Sequence, residues 1–304
     1  MTSQEDGGGE AELRKLHSEA ETRERDIQEM SEHDLRQEKL IARLRREANV
    51  QEEALAGLIA RLEAAEDELK DLRAIRDALT PPTLPVRPGL ELAAAFLPAG
   101  EHISGDFYLV AEGPQDSTVL VIGDVIGHGL EAGRRASFVR TTFAATAPFS
   151  DDPSQLLSWA NTALVERAGT SSDFVTAACM TYLPTERRLR WAYAGHPPAL
   201  SMYDVRELVA PSQGVPLGIE IEPTYVDGSL QILEDPTGVL LFTDGLTEAR
   251  HDGELFGLGG VSAVLGELQD PSPSEAIAIL RARVADFAYG TLTDDLCMLA
   301  VRIT

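Results

Sequence analysis

The stretch VLVIGDVIGHG, residues 119 to 129, decides how the rest of the chain is interpreted. An apolar run ends at Asp124, and His128 follows between two glycines. The run is typical of a buried β-strand, which places Asp124 at the edge of a hydrophobic core. A carboxylate at such an edge is costly unless a partner compensates its charge. The stretch therefore indicates either a turn with a capping acid or the edge of a reaction centre.

The same pattern, an acid beside an apolar run, recurs at three further places: Asp106 in ISGDFYLV, Asp244 in VLLFTDGLTEAR, and Asp294 with Asp295 in DDLCMLAVRI. One such acid is usually a helix N-cap or a turn residue, and Asp244 and Asp124 each precede a possible helix. Four of them converge if the strands pack together. Clustered carboxylates repel one another unless a cation neutralises them. Hard divalent ions such as Mg(II) or Mn(II) prefer oxygen ligands, and a site with two ions suits displacement at phosphorus.

Other chemistries have little support in the sequence. It contains no G-x-S-x-G elbow, no P-loop, no dinucleotide fingerprint and no histidine pair with zinc spacing. Cys179 and Cys297 lie inside apolar runs, where we expect small buried side chains rather than a disulfide.

The charge balance excludes a further class of protein. The formal net charge is −24, from 26 basic and 50 acidic residues, which argues against nucleic-acid binding. From residue 80 onward there are 13 basic residues, all arginine, and 29 acidic residues, a net charge of −16. This surface predicts a substrate with a basic rim. We see no signal peptide and no apolar run of about 18 residues, so a cytoplasmic protein without a membrane span is expected.

Residues 10–79 carry a seven-residue repeat. With Leu13 as position a, fifteen of the twenty a and d positions are apolar. Such a repeat predicts a left-handed coiled coil, here a parallel homodimer, whereas an isolated helix would leave the apolar stripe in water. Polar core residues at Asp34, Gln37 and Gln51 either fix the register or mark a place where it can shift.

The chain is expected to have four parts. Residues 1–9 are predicted to be disordered, residues 10–79 form the coiled coil, residues 80–89 (TPPTLPVRPG) form a proline-rich linker, and residues 90–304 form one compact domain.

The order of strand-like and helical runs in the compact domain predicts an α+β fold with antiparallel sheets covered by helices. A hairpin turn is expected at Thr185-Glu186. The predicted strands are Leu90–Phe96, Val119–Val125, Phe174–Leu183, Arg188–Ala194, Val239–Thr243 and Leu296–Ile303. The predicted helices are Leu130–Ala147, Pro153–Ala168 and Pro273–Ala288.

Seven short motifs resemble, in the same order, those of the metal-dependent serine/threonine phosphatases of the PPM class, in the bacterial branch typified by SpoIIE and RsbU. They are LTPPTLP, PAGEHISGDFY, GDVIGHGLEAG, FVTAACMTYLPTERRLRWAYAGHPPAL, GVPLGI, LLFTDGLTEAR and DDLCMLAVRI. The resemblance covers nearly all of residues 78–304. It implies an α/β/β/α sandwich of two antiparallel sheets flanked by helices.

The resemblance also implies a site that binds two ions, Mn(II) or Mg(II). Asp124 resembles the acid that bridges both ions, and the backbone carbonyl of Val125 corresponds to a further ligand. Asp244 and Asp294 resemble the acids that hold one ion, and Asp106 resembles the acid that completes the site. Asp295 would lie behind the ligands or replace Asp294. The catalytic set is then Asp124, Asp106 and Asp244.

Departures from the family pattern leave these acids intact. Ser104 stands where glycine is frequent, Leu109 where an acid is common, and Cys297 where threonine is frequent. Ile126 occupies the position of a histidine that is a proposed general acid in eukaryotic relatives. His128 is either a proton donor acting through water or, with its glycines, a structural turn residue. We expect a structural role for His196.

The resemblance implies a phosphoserine/phosphothreonine phosphatase that acts on a phosphorylated anti-sigma-factor antagonist, a small STAS-domain protein. Activity would be set through the coiled coil, by its register or by an upstream sensor or regulator that binds it. The alternative is a coiled-coil adaptor that binds a phosphoprotein without turnover.

Overall fold

The computed structural model describes residues 23, 25, 30, 35–63, 65, 84–100, 103–168, 174–232, 237–289 and 292–304. The chain divides into two compact units, Met1–Lys70 and Asp71–Thr304. In the described residues, every helix is too short or too polar to cross a lipid bilayer.

The first unit contains a helix, α1, over residues 35–63. Its large apolar side chains are exposed, including those at the heptad positions Ile41, Leu44, Leu55, Leu58 and Leu62. The helix agrees with the central part of the predicted coiled coil. The remainder of that prediction, the predicted disorder of residues 1–9 and the first part of the linker lie outside the described residues.

The second unit contains two main sheets whose neighbouring strands are all antiparallel. The first has the order β1-β11-β8-β6, the second has the order β2-β3-β4-β5-β7, and β9 pairs with β10. The strands are β1 (Leu90–Leu97), β2 (Phe107–Glu112), β3 (Thr118–Val125), β4 (Val175–Leu183), β5 (Arg188–Ala194), β6 (Leu200–Ser201), β7 (Gly228–Gln231), β8 (Thr237–Phe242), β9 (Arg250–His251), β10 (Glu254–Leu255) and β11 (Leu296–Ile303).

Four α-helices cover the outer faces of the two sheets. They are α2 (Leu130–Thr146), α3 (Pro153–Ala168), α4 (Gly257–Gly266) and α5 (Pro273–Phe287). One hydrophobic cluster joins α2 and α3 to the five-stranded sheet, and another joins α4 and α5 to the four-stranded sheet. A third cluster lies between the sheets. The expected α/β/β/α sandwich is confirmed.

The strands at the centre of the sandwich are apolar on both faces because each face meets a different layer. In β3, Val119 and Val121 pack toward the helices, whereas Leu120 and Ile122 pack between the sheets. This alternation follows from the two-residue period of a strand. It explains why the run before Asp124 is continuously hydrophobic.

Most elements of the domain were predicted within two residues, and the hairpin turn is confirmed by the hydrogen bond from the Arg187 amide to the Pro184 carbonyl, 3.2 Å. Strand β2, helix α4 and the short strands β6, β7, β9 and β10 were not predicted. Between Pro85 and Pro88, the linker is fixed to the β2–β3 hairpin by Arg87, which donates to Thr118 Oγ1, Glu112 Oε2 and the Ser117 carbonyl.

Candidate active site

A cleft of about 450 Å³ opens where strands of both sheets end. Its acidic lining residues are Asp124, Asp244, Asp294 and Asp295. Asp124 comes from β3 in the five-stranded sheet, and the others border β8 and β11 in the four-stranded sheet. The packing of the two sheets therefore brings together the acids that are far apart in sequence. The other lining residues are Val125, Ile126, Gly127, His128, Phe174, Thr176 and Thr293.

The end of β3 lies closely against the segment before β2. A Cβ atom on Gly105 would lie 2.5 Å from the Val125 carbonyl oxygen and 3.3 Å from Asp124 Oδ1. The Val125 amide donates to the Gly105 carbonyl at 3.3 Å. Only glycine permits this approach, which sets Asp106 beside Asp124.

Asp106 is buried, with 8% of its surface exposed, and is held from two sides. Its backbone amide donates to Ser104 Oγ at 2.9 Å, and its carboxylate accepts a 2.7 Å hydrogen bond from the Thr243 hydroxyl. The hydroxyl oxygen of Thr243 accepts in turn from the Cys297 amide at 2.9 Å. Thr243 therefore connects the acid near β2 to strands β8 and β11.

Asp244 begins a short 3₁₀ helix, Asp244–Leu246, directly after β8. This helix has Thr243 as its N-cap residue and no side-chain capping bond, while α2 begins after Gly129, also without one. Neither Asp244 nor Asp124 is therefore the N-cap residue of a helix, although the Asp244 carboxylate accepts from the Gly245 amide at the start of the short helix.

The two acids before β11, Asp294 and Asp295, differ in their hydrogen bonds and exposure. Asp295 Oδ1 accepts from the Ala99 amide at 2.7 Å, and the Asp295 amide donates to Asp294 Oδ1 at 2.8 Å. The Asp295 carboxylate is thus tied to the loop after β1, and Asp294 is the more exposed member of the pair. This arrangement favours Asp294 as the ligand.

The carboxyl groups raise one another's pKa values. Burial, followed by the charge of Asp124, holds the pKa of Asp106 well above its usual range, and these two carboxyl groups are hydrogen-bonded to each other. Burial and the charge of Asp244 raise the pKa of Asp124 to about 6. Burial and Asp294 raise the pKa of Asp244. A bound cation would reverse this repulsion.

Among the described residues, no three His, Cys, Asp or Glu side chains form a ready-made metal-binding group. Apart from the ring nitrogens of the exposed His128, the donors around the cleft are nevertheless oxygen atoms, from carboxylates, a backbone carbonyl and threonine hydroxyls. This chemistry fits hard divalent ions rather than Zn(II) held by nitrogen or sulfur. The two cysteines are free and buried, as expected.

The two histidines of the motifs have different surroundings. His128 is exposed and lines the cleft. His196 is buried, its Nδ1 lies 2.8 Å from Thr176 Oγ1, and its Nε2 lies 3.0 Å from the Phe242 carbonyl oxygen. The ring therefore bridges β4 of one sheet and β8 of the other, in agreement with the expected structural role.

Three hydroxyl residues of the site were not predicted: Thr176, Thr243 and Thr293. Thr176 lies opposite Asp124 in the β3–β4 register. Thr243 ends an apolar run immediately before Asp244, so a polar residue at that strand end was an available signal. Thr176 gave no such signal because its place beside Asp124 depends on strand pairing.

The comparison with known families agrees with this architecture. The family model for stage II sporulation protein E (SpoIIE) matches residues 114–304, which is more than half of the chain. The chain belongs to the SpoIIE family.

Individual relatives place the chain among the phosphatases. It is 25% identical to phosphoserine phosphatase RsbU of Bacillus subtilis (strain 168) over 235 residues, which cover 75% of this chain and 68% of RsbU. It is 26% identical to the RsbU and RsbW domains of Rv1364c from Mycobacterium tuberculosis, with a TM-score of 0.59. That match covers 74% of this chain and 63% of the other, less than two thirds of its length.

Two further solved structures share the fold at lower identity. The SiaA-PP2C domain of Pseudomonas aeruginosa is 21% identical with a TM-score of 0.66, and the match covers 81% of this chain and 99% of that domain. RsbX in complex with magnesium is 14% identical with a TM-score of 0.54, covering 73% of this chain and 99% of RsbX. The fold and the family define the class of this protein, a PPM-type protein serine/threonine phosphatase. Within that class it is of the RsbU and SpoIIE type.

Proposed function

We propose that the chain is a divalent-metal-dependent phosphoserine/phosphothreonine protein phosphatase whose reaction centre is the acidic cleft. The observation that carries this proposal is the convergence of Asp124, Asp244 and Asp294 from two sheets into one cleft. A protein fold does not gather mutually repelling carboxylates in this way without a compensating partner.

The ligands of the proposed site are Asp106, Asp124, Asp244, Asp294 and the Val125 carbonyl, with Asp295 holding Asp294 in place. Two divalent ions in such a site supply a nucleophilic water at neutral pH and screen the phosphoryl oxygens. Mg(II) and Mn(II) both suit the donors, and RsbX supports the first as a magnesium complex of the same fold.

The side chains of the cleft have separate tasks in this proposal. Asp124 reaches the cleft from β3 and would be a ligand of the ions, while Thr243 keeps Asp106 oriented beside it. His128 is exposed at the cleft, where it can donate a proton through water to the leaving serine oxygen. The glycines on either side have φ angles of +90° and +89°, which fix the turn that presents it.

The proposed substrate is a phosphorylated anti-sigma-factor antagonist of the STAS class. RsbU, the relative of this chain, is a phosphoserine phosphatase, and in Rv1364c an RsbU domain occurs in the same protein as an RsbW domain. The cytoplasmic location expected from the sequence stays a prediction.

An Asp244→Asn variant, used as bait, is expected to retain the phosphorylated substrate during a pull-down because turnover is blocked.

The adaptor alternative is not favoured. A binding module without turnover has no need for the complete set of acids, and the relative RsbU is a phosphatase.

A turnover assay tests the proposal directly. Full-length protein with Mn(II) is expected to release phosphate from a phosphoserine peptide and to lose this activity in EDTA. Asp124→Ala should lose it at all Mn(II) concentrations. Activity that persists in EDTA and in Asp124→Ala would contradict a metal-dependent mechanism.

We also propose that α1 forms a parallel coiled coil with a second copy of the chain and that its register, or a partner that binds it, sets phosphatase activity. The supporting observation is the exposed apolar stripe, with Leu55 58% and Leu58 55% exposed. A stripe of this kind on a heptad repeat is stabilised by a second helix.

A further inference from the structure

A second cavity, of about 230 Å³, lies between α2 and α3 and carries positive charge. We name it the arginine groove, and it is lined by Glu131, Arg134, Arg135, Phe138, Leu164 and Arg167. Three of its six lining residues are arginine, although residues 80–304 have 13 basic and 29 acidic residues. The groove is therefore a local reversal of the charge of the domain.

The floor of the groove is part of the hydrophobic core. Leu164 is buried, and Phe138 packs against the cluster that joins α2 and α3 to the sheet. The Arg167 guanidinium lies 4.4 Å from the centre of the Phe138 ring, an attractive cation–π contact. The contact holds the guanidinium group of Arg167 in one orientation over the Phe138 ring. A positive charge that is already oriented suits recognition of a partner.

Glu131 competes only weakly for Arg134. Its carboxylate pairs with Arg134 at 2.9 Å, but the two side chains are 79% and 61% exposed. An exposed ion pair of this kind contributes little stability. A carboxylate from another molecule can therefore replace Glu131 at little cost.

The groove adjoins the cleft through both of its helices. Helix α2 begins at Leu130, two residues after the cleft residue His128. Arg134 is four residues into that helix, a rise of about 6 Å. Helix α3 ends at Ala168, and Phe174 lines the cleft a short distance further along the chain. A protein whose phosphoryl group enters the cleft can therefore extend onto the first turns of α2, where Arg134 lies.

We propose that the arginine groove docks an acidic segment of the phosphoprotein substrate. This deepens the proposed function and rests on it, since the cleft must accept the phosphoserine. Planar guanidinium groups bind carboxylates with two parallel hydrogen bonds, and an orienting aromatic ring reduces the entropy lost on binding. The net negative charge of the domain predicts a substrate with a basic rim. The positive charge of the arginine groove instead favours an acidic segment at this place.

The test compares two synthetic phosphoserine peptides, one with a flanking cluster of Asp and Glu and one with neutral residues there. With full-length protein and Mn(II), the acidic peptide is expected to have a KM about tenfold lower, and the difference should shrink as salt is raised. Arg134→Glu combined with Arg167→Glu should abolish the preference while leaving kcat for the neutral peptide and for p-nitrophenyl phosphate unchanged.

The matched control is Arg206→Glu, an exposed arginine on the loop after β6. It should keep the preference for the acidic peptide. If the charge-reversed variant unfolds, Arg134→Gln with Arg167→Gln gives the same comparison with less perturbation. Equal KM values for the two peptides in the wild type, or a preference that survives in the variants, would overturn the proposal.

Binding measured by fluorescence anisotropy separates this proposal from the phosphatase proposal. The acidic peptide should bind the wild type more tightly than the variant even in EDTA. If turnover fails but this difference remains, the groove is supported and the proposed function is wrong. If turnover succeeds without the difference, the cleft is active and the groove is not a docking site.

Discussion

At the scale of single residues, the hydroxyl group of Thr243 connects the acids of the two sheets. It donates to Asp106, accepts from the Cys297 amide, and belongs to the residue immediately before Asp244. Because Asp106 is buried beside Asp124, loss of this donor leaves a carboxylate without its hydrogen bond in a place that water does not easily reach.

Thr243→Val is therefore expected to weaken Mn(II) binding about tenfold and to lower the free energy of unfolding by about 1–3 kcal/mol. Thr243→Ser keeps the hydroxyl and should restore most of the affinity. Isothermal titration calorimetry measures the affinity, and chemical denaturation measures the stability. Equal affinities for Thr243→Val and the wild type would show that the hydroxyl does not position Asp106.

The raised pKa of Asp124 predicts a pH dependence of metal binding. Since this pKa is about 6, the carboxyl group is increasingly protonated below that value and must lose the proton to bind an ion. Mn(II) affinity should therefore fall as the pH is lowered from 7.5 to 5. Calorimetric titrations of the wild type at several pH values check this. A constant affinity down to pH 5 would contradict the expectation.

Residue patterns identified the acids but not the groups that hold them. Asp106, Asp124, Asp244 and Asp294 stand at the ends of apolar runs, so their place at strand edges was visible in the sequence. The 2.7 Å bond from Thr243 to Asp106 joins residues 137 positions apart. Such a bond depends on how the sheets pack, which the local pattern does not encode.

At the scale of elements, close backbone approaches fix the spacing of the strand ends around the cleft. A Cβ atom on Gly245 would lie 1.9 Å from the Asp295 carbonyl oxygen, so the short helix after β8 can touch the start of β11 only through glycine. Leu296, the first residue of β11, follows at once.

Gly245→Ala is expected to separate Asp244 from the Asp294–Asp295 pair. The free energy of Mn(II) binding and the free energy of unfolding should each become less favourable by about 1 kcal/mol or more, the lower end of the cost of overpacking a core. Gly259→Ala is the matched control. A Cβ atom at Gly259 in helix α4 has no neighbour within 4 Å, so this change should be neutral or stabilising by up to about 1 kcal/mol. The same loss of affinity in both variants would contradict the specific role of Gly245.

His196 couples β4 to β8 and predicts a pH-dependent stability. Burial lowers its pKa from 6.5 to about 4, so the unfolded chain binds the proton more readily between these values. The contribution of the neutral ring to the free energy of unfolding is fully present above pH 6.5 and is lost as the pH falls through 4. The total loss is about 3 kcal/mol.

Denaturation of the wild type and of His196→Gln at several pH values measures this contribution, because other titrating groups cancel in the difference. The stability advantage of the wild type should shrink between pH 7 and pH 4. A difference that does not vary with pH would rule out a buried neutral imidazole.

The regular elements were predictable where one signal dominated. Strands β5 and β11 and helix α3 have the predicted bounds, because each is a clear apolar or amphipathic run between turn residues. Helix α4 was missed because its sequence, GLGGVSAVLG, contains four glycines, which favour loops. The apolar run of β2, directly after Asp106, was noted, but no strand bounds were predicted for it.

At the scale of the whole molecule, the exposed stripe of α1 predicts a dimer. Removal of residues 1–79 should convert a dimer into a monomer with altered basal activity, as measured by light scattering and phosphate release. Leu55→Asp with Leu62→Asp should give the same change in the full chain, and Arg43→Ala, outside the a and d positions, should not. A truncated protein that remains dimeric with unchanged kinetics would exclude this role of the helix.

The fold of the domain can be predicted from its sequence more directly than the arginine groove can. Burial of both faces of β3 and β11 requires a layer on each side of both sheets, which is sufficient to define the sandwich. The arginine groove, by contrast, depends on Arg167 meeting Phe138 from another helix, a contact that neither segment indicates alone.

The most direct test of the central claim is anomalous diffraction from a crystal of the protein soaked in Mn(II). Two anomalous peaks are expected in the cleft, with the Asp124 carboxylate between them and Asp244 and Asp294 in contact with one ion. A crystal of catalytically active protein that shows no peak in the cleft, or peaks only elsewhere on the surface, would contradict it.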